Sequence, residues 1–313
     1  MKITLAPMEG VMDHHMRHLL TSIGGIDLCV TEFVRVVDLR LPTKVYRRLS
    51  PELNNGSKTP SGTPVRVQLL GHNPQCLALN ADKALHIGSD GIDLNFGCPA
   101  KAVNKSKAGA ILLKSPEKLY EIVKEVRTAV PEFHTLSAKI RLGYEDKSLA
   151  IENAQAIAEA GADELAVHAR TKEEGYKPPV HWQWIAKIKD AINIPVIANG
   201  DIFNADDAKR CIEISGCQHL MIGRGALATP NLAQVIKGHE APYNWPQLLD
   251  LMLEYMLIQT YGDKEKYLPN RIKQWLVFMR LQQPQAAVFL HKIRTIKKTE
   301  ELLAAINLER LSC

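Results

Sequence analysis

Eight short apolar runs, separated by segments with helical periodicity, constrain the fold of this chain more than any other feature. The runs are Ile3–Ala6, Leu28–Thr31, Val65–Leu69, Gly91–Asn95, Ser137–Ile140, Glu164–His168, Pro195–Asn199 and His219–Ile222. Strands that alternate with helices are typical of a parallel sheet. Eight such units over roughly 235 residues match the size of a (β/α)8 TIM barrel, which we expect here. A doubly wound open sheet is the alternative, but eight parallel strands close more readily than they stay open.

Three segments between these runs have clear amphipathic periodicity. Pro116–Val130 begins with proline, which is favoured in the first turn of a helix because its missing N–H has no partner there. Leu149–Ala160 is followed by Gly161, and Ala205–Ser215 is followed by Gly216. Glycine directly after a helical segment is typical of a C-terminal cap. These segments therefore predict helices between the strands.

The repeat stops near residue 240, and a different pattern follows. Residues 245–313 contain no strand-like run and read as several helices. Residues 241–313 contain ten basic and seven acidic residues, and the 28 residues from Arg271 to Lys298 contain seven basic residues and no acidic one. A charge run is often only a solvated helix face, but an acid-free stretch of this length favours an anionic partner. We therefore expect two domains, a catalytic barrel at 1–240 and a helical domain at 241–313.

Composition limits the cellular setting. The chain has 313 residues, of which 46% are hydrophobic and 23% charged, and its net charge of +5 is too small to identify a nucleic-acid partner alone. Its first residues lack a secretory signal, and no apolar run approaches the ~20 residues of a membrane span. The six cysteines form no CxxC pair or metal spacing. We expect a cytoplasmic protein without a metal; the sequence holds no information on assembly, and a monomer is the simplest expectation.

Active sites of TIM barrels lie at the C-terminal ends of the strands. The residues at these ends are Pro7, Met8, Glu9, Gln68, Asn95, Cys98, Lys139, Arg141, His168, Arg170, Asn199, Gly200, Asp201, Gly223, Arg224 and Gly225. Amides, a lysine, a histidine and glycines thus converge on one rim, which predicts a ligand site.

The loops after the seventh and eighth runs predict a phosphate site. Gly200, Gly223 and Gly225 let backbone N–H groups approach phosphate oxygens, and Arg224 supplies positive charge. The alternative is that these glycines only serve turns. Residues 223–228 also fit the dinucleotide fingerprint G-x-G-x-x-A, but no strand follows them, so Rossmann-type binding of NAD is not expected.

A phosphate-bearing cofactor above a lysine and an amide suggests flavin mononucleotide (FMN). Lys139 would place positive charge near the N1–C2 edge of the flavin, Gln68 would contact its polar edges, and Pro7 and Met8 would pack on its face. His168 is expected to belong to the same site. The alternatives to these roles are that Lys139 is a buried lysine in an ion pair and that His168 is a histidine of the core.

Cys98 is the candidate catalytic residue, because it follows a strand and lies between glycine and proline. No nearby residue resembles the general base that a cysteine nucleophile needs. An ordinary thiol pKa of about 8.5 keeps the group protonated at neutral pH, which suits a general acid. A buried inert thiol is the alternative, and it is the expectation for Cys29 and Cys76.

The combination of these motifs resembles the tRNA-dihydrouridine synthase family along the whole chain. The motifs are 6–13 (APMEGVMD), 94–99 (LNFGCP), 139–144 (KIRLGY), 168–171 (HART), 197–201 (IANGD) and 221–225 (MIGRG). The resemblance implies an FMN-binding barrel and a helical tRNA-binding domain. It also implies that NADPH reduces FMN, that the reduced N5 passes hydride to C6 of a uracil, and that Cys98 protonates C5 to give 5,6-dihydrouridine.

The resemblance also assigns roles to individual residues. The FMN contacts it implies are Pro7, Met8, Glu9, Gln68, Lys139, His168, Asn199, Gly200, Asp201, Gly223 and Arg224. The residues expected near the uracil, which must leave its stack, are Asn95, Tyr176 and Arg170. The residues expected on the tRNA are Arg35, Arg271, Lys273 and Arg294, with Lys101, Lys105 and Lys107 close to backbone phosphates.

Some residues depart from the commonest family pattern. Glu9 replaces a small residue and Ala169 replaces a glycine. Together with segments 31–38 and 271–275, these departures resemble the bacterial C-type, whose target is uridine 16 of the D-loop. Two other classes stay open: an FMN barrel acting on a small molecule, as in dihydroorotate dehydrogenases, and an RNA-binding protein on a barrel without activity.

Overall fold

The computed structural model describes residues 1–260 and 267–313, apart from the side chains of residues 259 and 260. Residues 261–266, which belong to the predicted helical tail, lie outside the described residues. The strands are β1 (Ile3–Leu5), β2 (Leu28–Val30), β3 (Val34–Arg35), β4 (Val65–Leu70), β5 (Gly91–Asn95), β6 (Thr135–Arg141), β7 (Glu164–His168), β8 (Val196–Asn199) and β9 (His219–Ile222).

Eight of these strands form a closed parallel barrel. β1 pairs with β2 on one side and with β9 on the other, and β2 pairs with β4. From β4 onwards each strand pairs with the next one in the chain, up to β9. The TIM-barrel prediction is confirmed, and the closure of the ring excludes the doubly wound sheet.

The eight predicted strands are all present, within two residues at either end. β4 and β5 are buried along their full length, because helices cover one face and the barrel interior the other. β3 was not predicted. It has only two residues and pairs with the end of β4, so it is too short to leave a periodic pattern.

Helices cover the outside of the barrel. They are α1 (His14–Ser22), α2 (Thr43–Leu49), α3 (Pro74–His86), α4 (Lys101–Lys105), α5 (Pro116–Ala129), α6 (Ala150–Glu159), α7 (Trp182–Ala191), α8 (Ala205–Ser215), α9 (Arg224–Ala228) and α10 (Leu232–Ile236), with 3-10 turns at Pro51–Asn55 and Gly109–Lys114. The three predicted helices are confirmed as α5, α6 and α8. Gly216 ends α8 in the left-handed conformation, at φ +64°.

The described part of the tail consists of helices joined by short turns. Its helices are α11 (Trp245–Thr260), α12 (Leu268–Met279), α13 (Pro284–Ile293) and α14 (Thr299–Leu311). α12 lies against the barrel rim: Trp275 Nε1 donates to Leu227 O over 3.0 Å, and Arg271 Nη1 donates to Gly10 O over 2.7 Å. One hydrophobic cluster runs from the strands into these helices. A boundary at residue 240 stays a prediction.

Candidate active site

A cavity of about 530 Å³ opens at the C-terminal ends of the strands. Cys98, Asn95, Tyr176 and every residue predicted to contact FMN line this cavity. The structure therefore brings together residues that are as much as 217 positions apart, because the C-terminal ends of all barrel strands meet at one rim.

The loop that carries Cys98 is fixed by hydrogen bonds at several points. Asn95 Oδ1 accepts from the backbone N–H groups of Gly97 and Cys98, at 3.0 and 2.9 Å. Arg141 Nε donates to Gly97 O over 2.9 Å, and Asn104 Nδ2 donates to Cys98 O over 3.0 Å. The Cys98 side chain is half-buried and lines the cavity. A thiol held in this way meets a ligand in a defined position.

Gly109 packs directly behind this cysteine, so we expect Gly109→Ala to displace it. Gly109 has φ +70°, and a Cβ there would lie 2.9 Å from Cys98 O and 2.8 Å from Val103 Cγ1. We expect a loss of about 1–3 kcal/mol in unfolding free energy, together with lower activity. The matched control is Gly56→Ala, at φ +60° with nothing within 4 Å of its Cβ. Equal activity of the two variants would contradict the clash; denaturant unfolding and turnover are the measurements.

The surroundings of Cys98 keep its thiol protonated. Burial raises its pKa above the ordinary value, and the negative charge of Glu9 adds to the rise. A hydrogen bond from the Ala100 backbone and the positive charges of Arg141 and Arg35 oppose the rise without cancelling it. At neutral pH the group is therefore a thiol that can donate a proton. Burial raises the pKa of Cys29 to about 12, as expected for an inert core thiol.

Lys139 and His168 lie deeper in the cavity and differ in charge. Burial, followed by repulsion from Arg141, lowers the pKa of Lys139 from 10.5 to about 8, while attraction to Asp93 opposes the shift. The lysine therefore remains largely charged at pH 7, and its Nζ donates to Asn199 Oδ1 over 3.2 Å. Burial and the neighbouring cations lower the pKa of His168 well below 6.5, so its imidazole is neutral.

A cluster of two guanidinium groups around one carboxylate forms the positive end of the cavity. Arg170 Nη1 and Nη2 donate to the two oxygens of Asp201 at 2.9 and 2.5 Å, and Arg224 Nη2 donates to Oδ1 at 2.5 Å. Two cations on one anion leave a net positive charge. Arg224 lines the cavity and its guanidinium carbon lies 4.6 Å from the ring centroid of Tyr176.

The loops after β8 and β9 approach each other closely beside this cluster. A Cβ on Gly225 would lie 1.9 Å from Ile202 O, so only glycine allows the approach. Gly200, Gly223 and Gly225 expose backbone to the cavity there. The first backbone N–H groups of a helix lack partners within the helix, and α9 begins at Arg224. Positive charge next to exposed backbone is suitable for a phosphate.

These residues fit a phosphate-bearing flavin by their chemistry. The phosphate would lie at the glycines and Arg224, while Lys139, Gln68 and Asn199 offer charge and amides to the polar edges of a flavin ring. Met8 offers an apolar contact to its face.

Within residues 1–260 and 267–313, no cluster of three or more His, Cys, Asp or Glu side chains is suited to hold a metal ion.

Arg170 is placed differently from the other residues predicted near the uracil. Its side chain is 0% exposed and does not line the cavity. Besides Asp201, it contacts Lys177 O at 2.7 Å and Pro179 O at 3.1 Å. In this structure Arg170 therefore has no free surface for a base, and it instead orders the loop that carries Tyr176, which is 54% exposed.

The residues predicted to bind tRNA lie outside the cavity. Arg35 is exposed and donates to Ser106 Oγ over 2.9 Å. Arg271 pairs with Asp13, and Lys273 Nζ donates to a backbone oxygen, so both are engaged within the chain. Arg294 is exposed. The structure thus leaves Arg35 and Arg294 accessible and turns the other two inward.

The sequence interpretation missed several residues that line the cavity. The strand-end position of Arg141 predicts no specific role, yet its guanidinium joins the Cys98 loop to Thr171 O and Gly175 O, at 3.0 Å each. The other missed residues include Phe33, Phe203 and Phe278. Phe278 comes from α12, in the helical tail, where no strand-end rule applies. Its position follows only from the docking of that helix on the rim.

No helix among the described residues is long and apolar enough to cross a membrane.

Comparison with known proteins agrees with this geometry. The family model described as dihydrouridine synthase matches residues 4–311. A Shewanella oneidensis protein named tRNA-dihydrouridine(16) synthase is 55% identical over 307 residues, which cover 98% of each chain. A protein of the same name from Vibrio cholerae is 51% identical over 308 residues, 98% of this chain and 95% of that one. The structure of an old yellow enzyme homologue from Zymomonas mobilis superposes on 78% of this chain and 90% of its own, with a TM-score of 0.53 at 12% identity, and so shares the fold. The chain belongs to the dihydrouridine synthase family.

Proposed function

We propose that this chain reduces uridine 16 in the D-loop of tRNA to 5,6-dihydrouridine, with FMN as bound cofactor, NADPH as reductant and the monomer as the active unit. The observation that carries the proposal is the position of the Cys98 thiol, whose pKa burial raises, on a cavity that also contains Lys139 and a positive, glycine-rich end. The names of the relatives from Shewanella oneidensis and Vibrio cholerae, at 55% and 51% identity, support the substrate and its position.

The cofactor would lie against residues that the sequence had indicated. Gly200, Gly223 and Arg224 would hold the phosphate, and Lys139 would compensate negative charge on the ring. When bound, the flavin would supply the hydride that reduces C6 of the uracil. Pro7, Met8 and Glu9, on the loop after β1, would line the ring face.

Cys98 would then complete the reduction by donating its proton to C5. Its raised pKa keeps the proton on sulfur until the base is reduced, and Asn95 and Arg141 hold the loop in place meanwhile. Asn95 and Tyr176 line the cavity and would contact the uracil. The base must leave its stack to enter, and Tyr176 offers a ring at the mouth on which a base can stack.

Exposed cations of the tail support its assignment as the tRNA-binding domain, residues 241–313. Arg280, Arg294 and Lys297 are exposed, and within the described ranges none of them forms an ion pair. Lys292 instead pairs with Glu309 at 2.7 Å. Phosphate contacts set the orientation of a nucleic acid without reading its sequence. The tail would therefore decide which uridine reaches the cavity.

Arg294→Ala is expected to weaken tRNA binding severalfold and to lower the slope of log affinity against log salt by about 1, because one phosphate contact is lost. The matched control is Lys124→Ala, an exposed lysine on α5, which should leave both quantities unchanged. Titrations of tRNA at two salt concentrations measure the effect. If log affinity falls with log salt concentration at the same slope in both variants, Arg294 does not contact the tRNA.

The direct test uses purified protein, FMN, NADPH and unmodified tRNA transcript. We expect bound FMN, and NADPH oxidation that tRNA stimulates in step with dihydrouridine formation. A protein that takes up no flavin would favour a non-catalytic RNA-binding role. Turnover of a free pyrimidine with no effect of tRNA, or activity unchanged by deletion of 245–313, would favour a small-molecule oxidoreductase.

A further inference from the structure

Two buried amides connect a buried carboxylate to the main chain at Cys98. Gln68 Nε2 donates to Asp93 Oδ2 over 2.7 Å, and Asn95 Nδ2 donates to Gln68 Oε1 over 2.7 Å. Asn95 Oδ1 accepts from the N–H groups of Gly97 and Cys98. We call Asp93, Gln68 and Asn95 the amide relay. All three side chains are at most 9% exposed, so water offers them few alternative partners.

The direction of each hydrogen bond in the amide relay is fixed from both ends. Backbone N–H groups only donate, so Asn95 turns Oδ1 towards Gly97 and Cys98 and Nδ2 towards Gln68. Asp93 Oδ2 accepts from Gln68, so Gln68 turns Nε2 towards Asp93 and Oε1 towards Asn95. The two constraints agree. A flip of either amide would bring two donors or two acceptors together.

Asp93 is held as an acceptor by its other neighbours. Ser137 Oγ donates to Asp93 Oδ1 over 2.6 Å, and Arg66 Nη1 donates to Ser137 Oγ over 2.9 Å, which directs the hydroxyl hydrogen towards the carboxylate. Burial raises the pKa of Asp93, whereas the hydrogen bonds from Ser137 and Gln68 and the charges of Arg66 and Lys139 oppose the rise. Each carboxylate oxygen of Asp93 thus accepts a hydrogen bond, Oδ1 from Ser137 and Oδ2 from Gln68.

We propose that Asp93, which does not line the cavity, is a positioning residue that fixes the orientation of the Gln68 and Asn95 amides and thereby holds the main chain of Cys98 in place. The inference rests on the proposed function and deepens it. The relay uses one hydrogen of Asn95 Nδ2, and no acceptor within the described residues takes the other. That N–H is left for the ligand, so the ligand atom that meets Asn95 is an acceptor, such as a carbonyl oxygen of uracil.

The test replaces Asp93 with leucine in the FMN-loaded enzyme. Leucine fills a similar volume but accepts no hydrogen bond, so Gln68 is free to turn and Asn95 loses its fixed partner. We expect kcat for dihydrouridine formation to fall about 10- to 100-fold, as displacement of a reacting group does. The KM for tRNA should stay unchanged, because the basic tail is untouched.

Two further variants separate positioning from general stability. Asp93→Asn keeps a carbonyl oxygen for Gln68, and its amide nitrogen can donate to Ser137 Oγ once that hydroxyl turns its hydrogen to Ile92 O, 3.4 Å away. This variant should therefore restore kcat to near the wild-type value. Ser137→Ala removes the other hydrogen bond to the same carboxylate but leaves the relay intact. It should lower the melting temperature without lowering kcat.

A second readout does not depend on the uridine substrate. The rate at which iodoacetamide alkylates Cys98, followed by peptide mass spectrometry, should change in Asp93→Leu and not in Asp93→Asn. This result would support the relay even if the wild-type enzyme formed no dihydrouridine, which would reject the proposed function alone.

Three results would overturn the inference. The first is an unchanged kcat and alkylation rate in Asp93→Leu. The second is an equal loss of kcat in Asp93→Asn and Asp93→Leu, which would assign the effect to charge. The third is failure of Asp93→Leu and of the smaller Asp93→Ser to bind flavin while Asp93→Asn binds it normally, which would assign Asp93 to folding.

Discussion

Replacing Cys98 with alanine is expected to lower dihydrouridine formation by about 100- to 10,000-fold, the usual contribution of a positioned general acid. Flavin binding and NADPH oxidation should remain, because neither needs the thiol. Burial raises the pKa of Cys98, so the wild-type group carries the proton that the variant lacks. The measurement is product formed per NADPH consumed, in single turnover with tRNA.

The matched control for this variant is Cys76→Ala. Cys76 is half-buried on α3, outside the cavity, and its loss should leave the ratio of product to NADPH unchanged. Full product formation by Cys98→Ala would show that Cys98 is not the general acid. Loss of bound flavin in that variant would instead place Cys98 in the cofactor site.

Lys139→Met is expected to make the flavin-free protein more stable and the enzyme far less active. The lowered pKa of about 8, against 10.5 for a solvated lysine, means that burying the charged form costs about 3 kcal/mol at pH 7. Methionine removes that cost. It also removes the positive charge that we propose to lie next to the flavin, and a loss of about 100-fold in turnover is expected from a single preorganised charge.

The stability difference should depend on pH in a defined direction. Below pH 8 the folded and unfolded states both carry the charged lysine, so the cost is constant. Between pH 8 and 10.5 the unfolded state binds more protons at this group than the folded state does, so the stability of the wild-type protein rises relative to Lys139→Met. The difference in unfolding free energy between Lys139→Met and the wild-type protein should therefore become smaller as the pH rises.

Denaturant unfolding of the two flavin-free proteins at pH 7 and pH 10 checks this expectation. Lys124→Met, at an exposed position on α5, is the control and should change stability little at either pH. A variant less stable than wild type at pH 7 would show that Lys139 is well solvated or paired. Normal turnover by Lys139→Met would remove it from the cofactor site.

The barrel and the residues of its rim could be predicted from the sequence, because buried strands leave a recognisable pattern of apolar residues. Strands covered on both faces read as continuous apolar runs, and the eight runs place their C-terminal residues at one end. Glycines at 200, 223 and 225 and the amide at 68 could therefore be assigned to one rim. The short strand Val34–Arg35 left no such pattern.

Tertiary pairing explains what the sequence did not reveal. Arg271 and Arg294 have the same charge and belong to the same acid-free stretch, yet Arg271 pairs with Asp13, 258 positions away, while Arg294 is exposed. Arg170 is likewise turned towards Asp201. A charge pattern does not distinguish a cation that holds the fold from one that is accessible to a partner, because the partner comes from a distant segment.

The most direct test of the central claim is the position of the product. Purified protein, with FMN and NADPH, would be incubated with unmodified tRNA, and dihydrouridine would be mapped nucleotide by nucleotide. We predict dihydrouridine at position 16 of the D-loop, with position 20 unmodified, and its absence with Cys98→Ala. Modification at position 20 with position 16 untouched would contradict the proposed specificity, and tRNA without any dihydrouridine would contradict the proposed function.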